Sequence, residues 1–368
     1  MSSSTRAWPN PVPESFRAEQ LDESRWSEWD TFLTRSPESR LRQTSHYARA
    51  LRLYGWSPSV LILRDSSCPE SPIVAGALIG EKKLPLVGGC RLQVSGGIAI
   101  PPGTSEAVTV EFLAALERHG RERGAVWIQL EWRRPLSIDG VACPDGETAR
   151  DRLLRTGYEQ GEQTGTYFIS LAGHDRETML AALGRQARQN IRHAVRDAVE
   201  VVEERDLEGT TAFRDYHREM SQRKGLGSWP DGFERDVLLG AIQAGAAKLL
   251  SARNHGKRIN MILLSAVGAP LYEWGAIGPR ENVEAAPPTG EFLHYEAMCR
   301  FLGGPHPTYD LGGSPGPDPV AGHPNYSVWR FKKKLGGKFV WFAGEGRKVL
   351  IPWKTKAIEL LRPGRATG

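Results

Sequence analysis

The sequence predicts an α/β fold of two units built to one plan, each a mixed central sheet flanked by helices. Three observations predict it. The chain has 368 residues, about the length of two domains. It is 40% apolar, 25% charged and 8% aromatic, which is the balance of a folded chain and excludes a mostly disordered one. Helices, a three-stranded meander, a helix and a further strand then follow one another twice.

In the first unit, residues 1–20 are rich in Ser, Pro and polar groups and are expected to be poorly ordered. Residues 24–33 and 43–53 read as helices. Residues 57–64, 72–84 and 90–100 read as strands separated by Gly and Pro. Val108, Phe112, Leu113 and Leu116 share one face of a long helix over 104–123. Residues 126–131 form an apolar strand ending at Glu131, and 146–156 a short helix stopped by Gly157.

The order then recurs. Residues 167–171 are a strand, and 175–198 one helix capped by Asp175 with Glu177 in its first turn. Residues 199–204 are a strand, and 210–224 and 231–244 are helices. Residues 247–253, 258–267 and 270–277 form the second meander. A helix over 291–302 and a strand over 307–311 complete the unit. Residues 338–350 read as a hairpin turning at Gly344-Glu345-Gly346, followed by a helix over 353–361. This order is similar to that of the acetyltransferase-type (GNAT) fold used in tandem. The expected boundaries are 1–20 for a flexible N-terminus, 21–160 for the first domain, completed by 338–368, and 161–337 for the second.

Charge is uneven. After residue 329 there are eleven Lys/Arg and two Asp/Glu, a net +9 against +5 for the whole chain. The remainder is therefore net −4. A local cationic excess fits a phosphate-bearing partner or a solvated surface. Arg185, Arg188, Arg192 and Arg196 form a second basic stripe, at helical spacing. No run approaches the roughly 20 apolar residues of a membrane span. The first residues lack the apolar core of a signal peptide. Cys68, Cys90, Cys143 and Cys299 lie far apart, with neither metal nor disulfide spacing. A reduced, cytoplasmic protein is expected.

Several chemistries find no motif. HExxH, GxSxG and the P-loop are absent, and no metal site is expected. His46 and His294 read as structural or surface residues. An acetyltransferase that uses coenzyme A carries [RQ]-x-x-G-x-[GA] after a strand, where backbone N–H groups hold the pyrophosphate. Neither Trp132-Arg133-Arg134-Pro135 nor Gly278-Pro279-Arg280-Glu281-Asn282 matches it.

Two neighbouring segments stand out. Tyr309-Asp310-Leu311-Gly312-Gly313 runs from a strand into a Gly-rich turn. Phe331-Lys332-Lys333-Lys334-Leu335-Gly336-Gly337-Lys338 joins an aromatic to a cationic run and two glycines. Glycines admit a large ligand close to the backbone, lysines meet phosphates, and an aromatic offers a stacking face.

The pair resembles the signature of the Fem family, the FemABX-type aminoacyl-tRNA-dependent peptidyltransferases. Other pieces agree in order: Gln43-Thr44-Ser45-His46-Tyr47 with Gly55-Trp56, Arg188-Gln189-Asn190-Ile191-Arg192-His193-Ala194 before Val199 and Val201, and Met220 to Leu226. The resemblance spans roughly residues 25 to 350 and implies two GNAT-like domains. It also implies amide formation, in which an amino acid esterified to tRNA is attacked by an amine of a peptidoglycan precursor, peptide or small molecule. No cofactor or metal is implied, because aminoacyl-tRNA is the co-substrate. Contact with a membrane-bound precursor would be peripheral.

The resemblance gives Lys332 the role of gripping the tRNA acceptor end and steadying negative charge, with Phe331, Lys333, Lys334, Gly336, Gly337 and Lys338 around the donor. It gives Glu131 the acceptor amine, to hold it or to act as its general base, with a structural ion pair as the other reading. Asp310 orients the site, accepts a proton or caps its strand. Tyr272 and Trp274 share one side of a strand and line the acceptor cleft or pack the core. Tyr309, Trp229, Arg49 and Arg52 complete the expected acceptor set. Trp229-Pro230 stands where the family often has a basic residue before Pro, Trp132 follows Glu131 in place of Pro, and no long helical-hairpin insertion separates Met220 from Ala247. The acceptor therefore stays open. Two other readings are a GNAT-like acyltransferase using acyl-coenzyme A or an acyl carrier protein, and a nucleic-acid-binding relative without catalysis.

Overall fold

Apolar strand residues and amphipathic helices close on each other in four buried clusters, and hydrogen bonding joins the strands into one sheet. The computed structural model describes residues 15–277 and 289–361. The first half supplies β1 (Phe16–Leu21), β2 (Ser57–Asp65), β3 (Ile73–Lys83), β4 (Cys90–Val94) and β5 (Ala125–Ile138), then the short β6 (Val141–Ala142) and β7 (Glu159–Gln160). The second supplies β8 (Thr164–Ser170), β9 (Glu200–Glu204), β10 (Ala247–Asn254), β11 (Lys257–Ser265), β12 (Pro270–Ile277) and β13 (Thr308–Ser314), and β14 (Lys338–Val349) follows. The main order is β1-β2-β3-β4-β5-β14-β8-β13-β12-β11-β10-β9.

The helices are α1 (Trp26–Leu33), α2 (Ser45–Leu53), α3 (Glu106–Glu122), α4 (Pro144–Arg155), α5 (Arg176–Ala182), α6 (Arg185–Arg196), α7 (Leu207–Lys224), α8 (Gly240–Gln243), α9 (Gly290–Arg300), α10 (Tyr326–Leu335) and α11 (Pro352–Leu361). A π-helical turn, Glu234–Leu239, leads into α8. In α3, Phe112 and Leu116 are buried against Leu92 and Ile128 of the sheet. In α9, Leu293, Ala297 and Met298 enter the second core, beside Leu264 and Leu311. None of the described helices is long and apolar enough to cross a membrane.

Five expectations are corrected. Residues 16–20 are ordered: β1 pairs with β2 over the register Phe16↔Asp65 to Leu21↔Val60. The strand expected over 90–100 ends at Val94, because Gly96 and Gly97 turn with φ of +82° and +84°. The helix expected over 175–198 is two helices, broken at residues 183–184. There Arg188 donates to the carbonyls of Ala181 and Leu183, at 3.1 and 2.6 Å. Glu131 lies mid-strand, since β5 continues to Ile138.

The fifth concerns the C-terminal region. The expected hairpin over 338–350 is the single strand β14, which pairs antiparallel with β8 on one side and with β5 on the other. Gly344 makes an irregularity in the strand instead of a turn. Its φ is +77°, and a Cβ there would lie 2.0 Å from the Glu162 carbonyl oxygen. Only glycine fits that combination of handedness and contact.

Candidate active site

Parallel strands that pair briefly and then part leave a wedge, and each half has one. β4 follows β5 only to Val94↔Leu130. β12 follows β13 only to Tyr272↔Asp310, after which β12 stays with β11 and β13 with β8. The two wedges meet across the shared strand β14.

In the first wedge, Glu131 accepts the Gly96 N–H at 2.7 Å through Oε2 and pairs with Arg133 at 2.9 Å through Oε1. Arg133 also reaches Asp310 at 3.4 Å, so one guanidinium ties the two halves together. Residues two apart on a strand share a face, which is why Glu131 and Arg133 meet. Arg40, Arg42, Tyr272 and Trp274 close the cleft around them. Burial would raise the Glu131 carboxyl, but Arg133 and Arg42 outweigh it and hold the group below its usual range. Burial also pushes Arg40 down to about 10. The Nε atoms of Arg40, Arg42 and Arg133 have no hydrogen-bond partner among the described residues. Such a lining suits a polar, charged ligand group.

Trp274 extends the cleft into an aromatic wall. It lies 6.0 Å from Tyr47 and 6.4 Å from Trp229. Trp229 is stacked on His217 at 3.9 Å and on Phe233 at 4.7 Å.

In the second wedge, Lys332 is only 5% exposed and donates to the Gly313 carbonyl at 2.6 Å. Gly312 beside it is held to glycine by its backbone: its φ is +75°, and a Cβ would lie 3.1 Å from the Glu273 carbonyl. Asp310 is fully buried and accepts from the Thr166 hydroxyl at 2.5 Å and from the Gly312 N–H at 2.9 Å. Burial pushes the Lys332 ammonium below its usual range, against the pull of Glu273 and Asp310. Glu273 is raised to about 7 by burial, with Lys332 opposing and Asp310 reinforcing. His294 is pushed down to about 3 by burial and by Lys332, and is therefore neutral. Its Nδ1 meets the Tyr309 hydroxyl at 2.9 Å, and its Nε2 faces Glu273 Oε2 at 3.9 Å.

The structure thus brings Lys332, Asp310, Glu131, Tyr272, Trp274 and Trp229 to the two wedges or their wall. It does not bring the others there equally. Phe331 packs against the His294 ring at 5.2 Å and covers the helix face of the site. Lys333 lies over Trp329 at 4.9 Å and pairs with Asp318 at 2.5 Å, outside the wedge. Lys334 packs its backbone on Gly184, and Gly336 ends α10 with φ +83°. Gly337 approaches Phe168, and Lys338 begins β14. Arg52 pairs with Glu23 and lies over Trp26, and Arg49 sits by Gly240, so neither lines the cleft. Tyr309 is buried at 0% exposure, with its hydroxyl spent on His294, so it offers nothing to an acceptor. The Gly278-to-Asn282 segment lies outside the described residues.

Sequence reasoning missed Arg40, Arg42, Arg133, Glu273 and His294. Arg133 carried a signal in its period-two spacing from Glu131. Glu273 carried another: it is an acid between Tyr272 and Trp274 on an otherwise uncharged strand, pointing to the opposite face.

Comparisons with solved structures give the fold. FemX aligns with a TM-score of 0.74 at 16% identity, over 93% of this chain and 100% of its own. The C-terminal domain of a putative lysylphosphatidylglycerol synthetase from Agrobacterium fabrum aligns at 0.53 and 14% identity, over 92% and 99%. A tandem GNAT protein from the clavulanic acid biosynthesis pathway aligns at 0.50 and 12%, over 91% and 98%. The chain has the Fem-like tandem GNAT fold. No family model and no curated protein sequence matches it.

Proposed function

We propose that this protein is an acyltransferase that forms an amide by moving an amino acid from aminoacyl-tRNA to an amine. The observation that carries the reading is Lys332, buried in the wedge between β12 and β13, where it donates to the Gly313 carbonyl and feels the charge of Asp310, the carboxylate that Arg133 ties to Glu131 in the other wedge. The resemblance of the sequence motifs and the likeness of fold to FemX support it.

The chemistry asks little beyond placement. The amine nitrogen attacks the ester carbonyl, a C–N bond forms, and the ester C–O bond breaks. The amine gives up a proton, and the departing ribose oxygen takes one. An activated ester needs mainly positioning and a charge for the tetrahedral oxyanion. Lys332 supplies that charge. Glu131, held ionised, receives the acceptor as its ammonium form, which sheds one proton to become the attacking amine, and the aromatic wall beside Trp274 holds the rest of the acceptor. Glu273, poised near neutrality, faces Lys332 and takes up the released proton. No cofactor or metal enters this scheme, and its donor places the protein in the cytoplasm. A muropeptide precursor, a peptide or a small amine all fit the acceptor side.

The test is incubation with a pool of charged tRNAs and candidate amines, followed by mass spectrometry for a new amide. Formation of that amide, lost in Lys332→Ala, is the expected result. Amide formed from acyl-coenzyme A or an acyl carrier protein but not from charged tRNA would overturn it. RNA binding that survives in Lys332→Ala, with no transfer, would leave only a nucleic-acid-binding role.

A further inference from the structure

A second cavity lies on the same strand as the cleft. It has a volume of about 320 Å³ and lies between the β3–β4 connection and α11, with Trp127 of β5 in its wall. Leu84, Leu86, Ile358 and Leu361 give it apolar sides, and Lys82, Lys83 and Arg91 are the charged residues that line it. None of its lining residues is acidic. Lys354 donates to the Gly88 carbonyl at 3.1 Å and fastens α11 to the connection, so the two lips are joined. Lys82 and Arg91 face each other across β3 and β4 and both lie over Trp56, at 5.3 and 4.7 Å, with the Lys82 ammonium donating to the Tyr54 carbonyl at 3.1 Å. The neighbouring acid Glu81 is paired with Arg123 at 2.7 Å.

The rim is apolar as well as cationic. Leu86 is 74% exposed and Leu361 59%, and both line the cavity. Singly exposed leucines are ordinary, but two exposed leucines lining one cationic cavity beside Leu84 and Ile358 are not. The partner must therefore be apolar and anionic at once. Residues 362–368 carry two arginines and no acid, the same sign as the rim, so charge does not favour the chain's own C-terminal segment there.

We propose that this face docks on an acidic phospholipid leaflet. Lys83 meets lipid phosphates, with Lys82 and Arg91 adding positive charge from their places over Trp56, Leu86 and Leu361 enter the interfacial layer, and one acyl chain is drawn towards Trp127. The chemistry is that of interfacial anchors, in which apolar side chains insert while lysines stay with the headgroups. Trp127 and Glu131 stand four residues apart on β5, on one face and about 13 Å from each other. Docking there turns the sheet face that carries the cleft towards the bilayer. The inference does not rest on the proposed amide chemistry.

The test is flotation of the full chain with vesicles of phosphatidylglycerol and phosphatidylcholine, and with phosphatidylcholine alone. Expected is binding to the acidic vesicles that weakens with salt. Lys83→Glu should lower partitioning by at least about fivefold. Leu86→Asp and Leu361→Asp should lower it further, each with an unchanged melting temperature because these side chains are exposed. Equal binding to neutral vesicles, no binding, or wild-type binding by the Lys83→Glu/Leu86→Asp pair would overturn the proposal. A dimer in light scattering that Leu86→Asp dissociates would assign the face to a second copy instead.

Discussion

His294 Nε2 lies 3.9 Å from Glu273 Oε2, and neither atom has a hydrogen-bond partner among the described residues. Two buried polar atoms are thus left aimed at each other beside Lys332. An unpaired buried carboxyl is costly to ionise, which is why its proton affinity lies near neutrality. This geometry makes the second wedge sensitive to pH in two opposite directions.

Glu273 binds its proton more tightly in the fold, at about 7 against an ordinary 4.5. Folding stability therefore falls as pH rises from about 4.5 to 7, and the loss is complete above that window. Glu273→Gln removes this slope. Denaturant titrations at pH 5 and pH 8 should show the variant gaining on wild type by up to about 3 kcal/mol at the higher pH. A constant difference between the two would show that Glu273 titrates as an ordinary carboxyl. In transfer assays the same variant should lose the rise in rate centred near pH 7.

His294 has the reverse sign. Its folded value, about 3, lies below the ordinary 6.5, so stability is lost as pH falls from about 6.5 towards 3. Between about 4.5 and 6.5 the two slopes oppose each other. His294→Gln should unmask the Glu273 slope, giving melting temperatures that decline steadily from pH 5 to pH 7. A wild-type-like plateau in that variant would count against the pairing.

Lys332→Ala should lower transfer by about 10²- to 10³-fold, the scale for removing one group that stabilises an oxyanion. Circular dichroism should show a native fold. Activity within about threefold of wild type would remove Lys332 from the chemistry.

Arg42 lines the first wedge with an unpaired Nε. Arg42→Ala should raise the acceptor KM by about tenfold, the value of one charge-assisted hydrogen bond, with the KM for charged tRNA unchanged. A change in the donor KM alone would place the acceptor elsewhere.

Gly344→Ala should destabilise the protein by about 2 kcal/mol or more, because a side chain at positive φ there would also strike the Glu162 carbonyl. Urea unfolding would read it. A neutral effect would mean that β14 shifts freely at this point.

Much of this was legible in the sequence because local signals and tertiary structure agreed. Phe112 and Leu116 mark their helix by spacing alone, and the Asp310–Gly313 and Phe331–Gly337 segments mark the wedge by composition. The misses share a cause: a local signal was outweighed by pairing elsewhere. Gly344-Glu345-Gly346 has turn chemistry, yet β5 and β8 lie on either side and keep the strand running. The segment before Gly336 reads as a cationic tail, yet Leu335 is buried in the second core and makes it the helix α10. Asp175 to Ala198 has an unbroken helical pattern, but a side chain on Gly184 would lie 2.4 Å from the Lys334 carbonyl, and the chain bends there to pass α10. Arg133 and Asp310 are 177 residues apart, and no local rule brings them together.

β14 seals the joint between the halves, and it is made late. A nascent chain that has emerged only as far as residue 337 holds two part-built sheets whose inner margins, β5 and β8, lack their common neighbour. Unpaired margins of this kind invite pairing with other chains. Until residues 338–349 leave the ribosome, the protein is most exposed to misassembly, and this is the stage of synthesis at which it would depend most on chaperones.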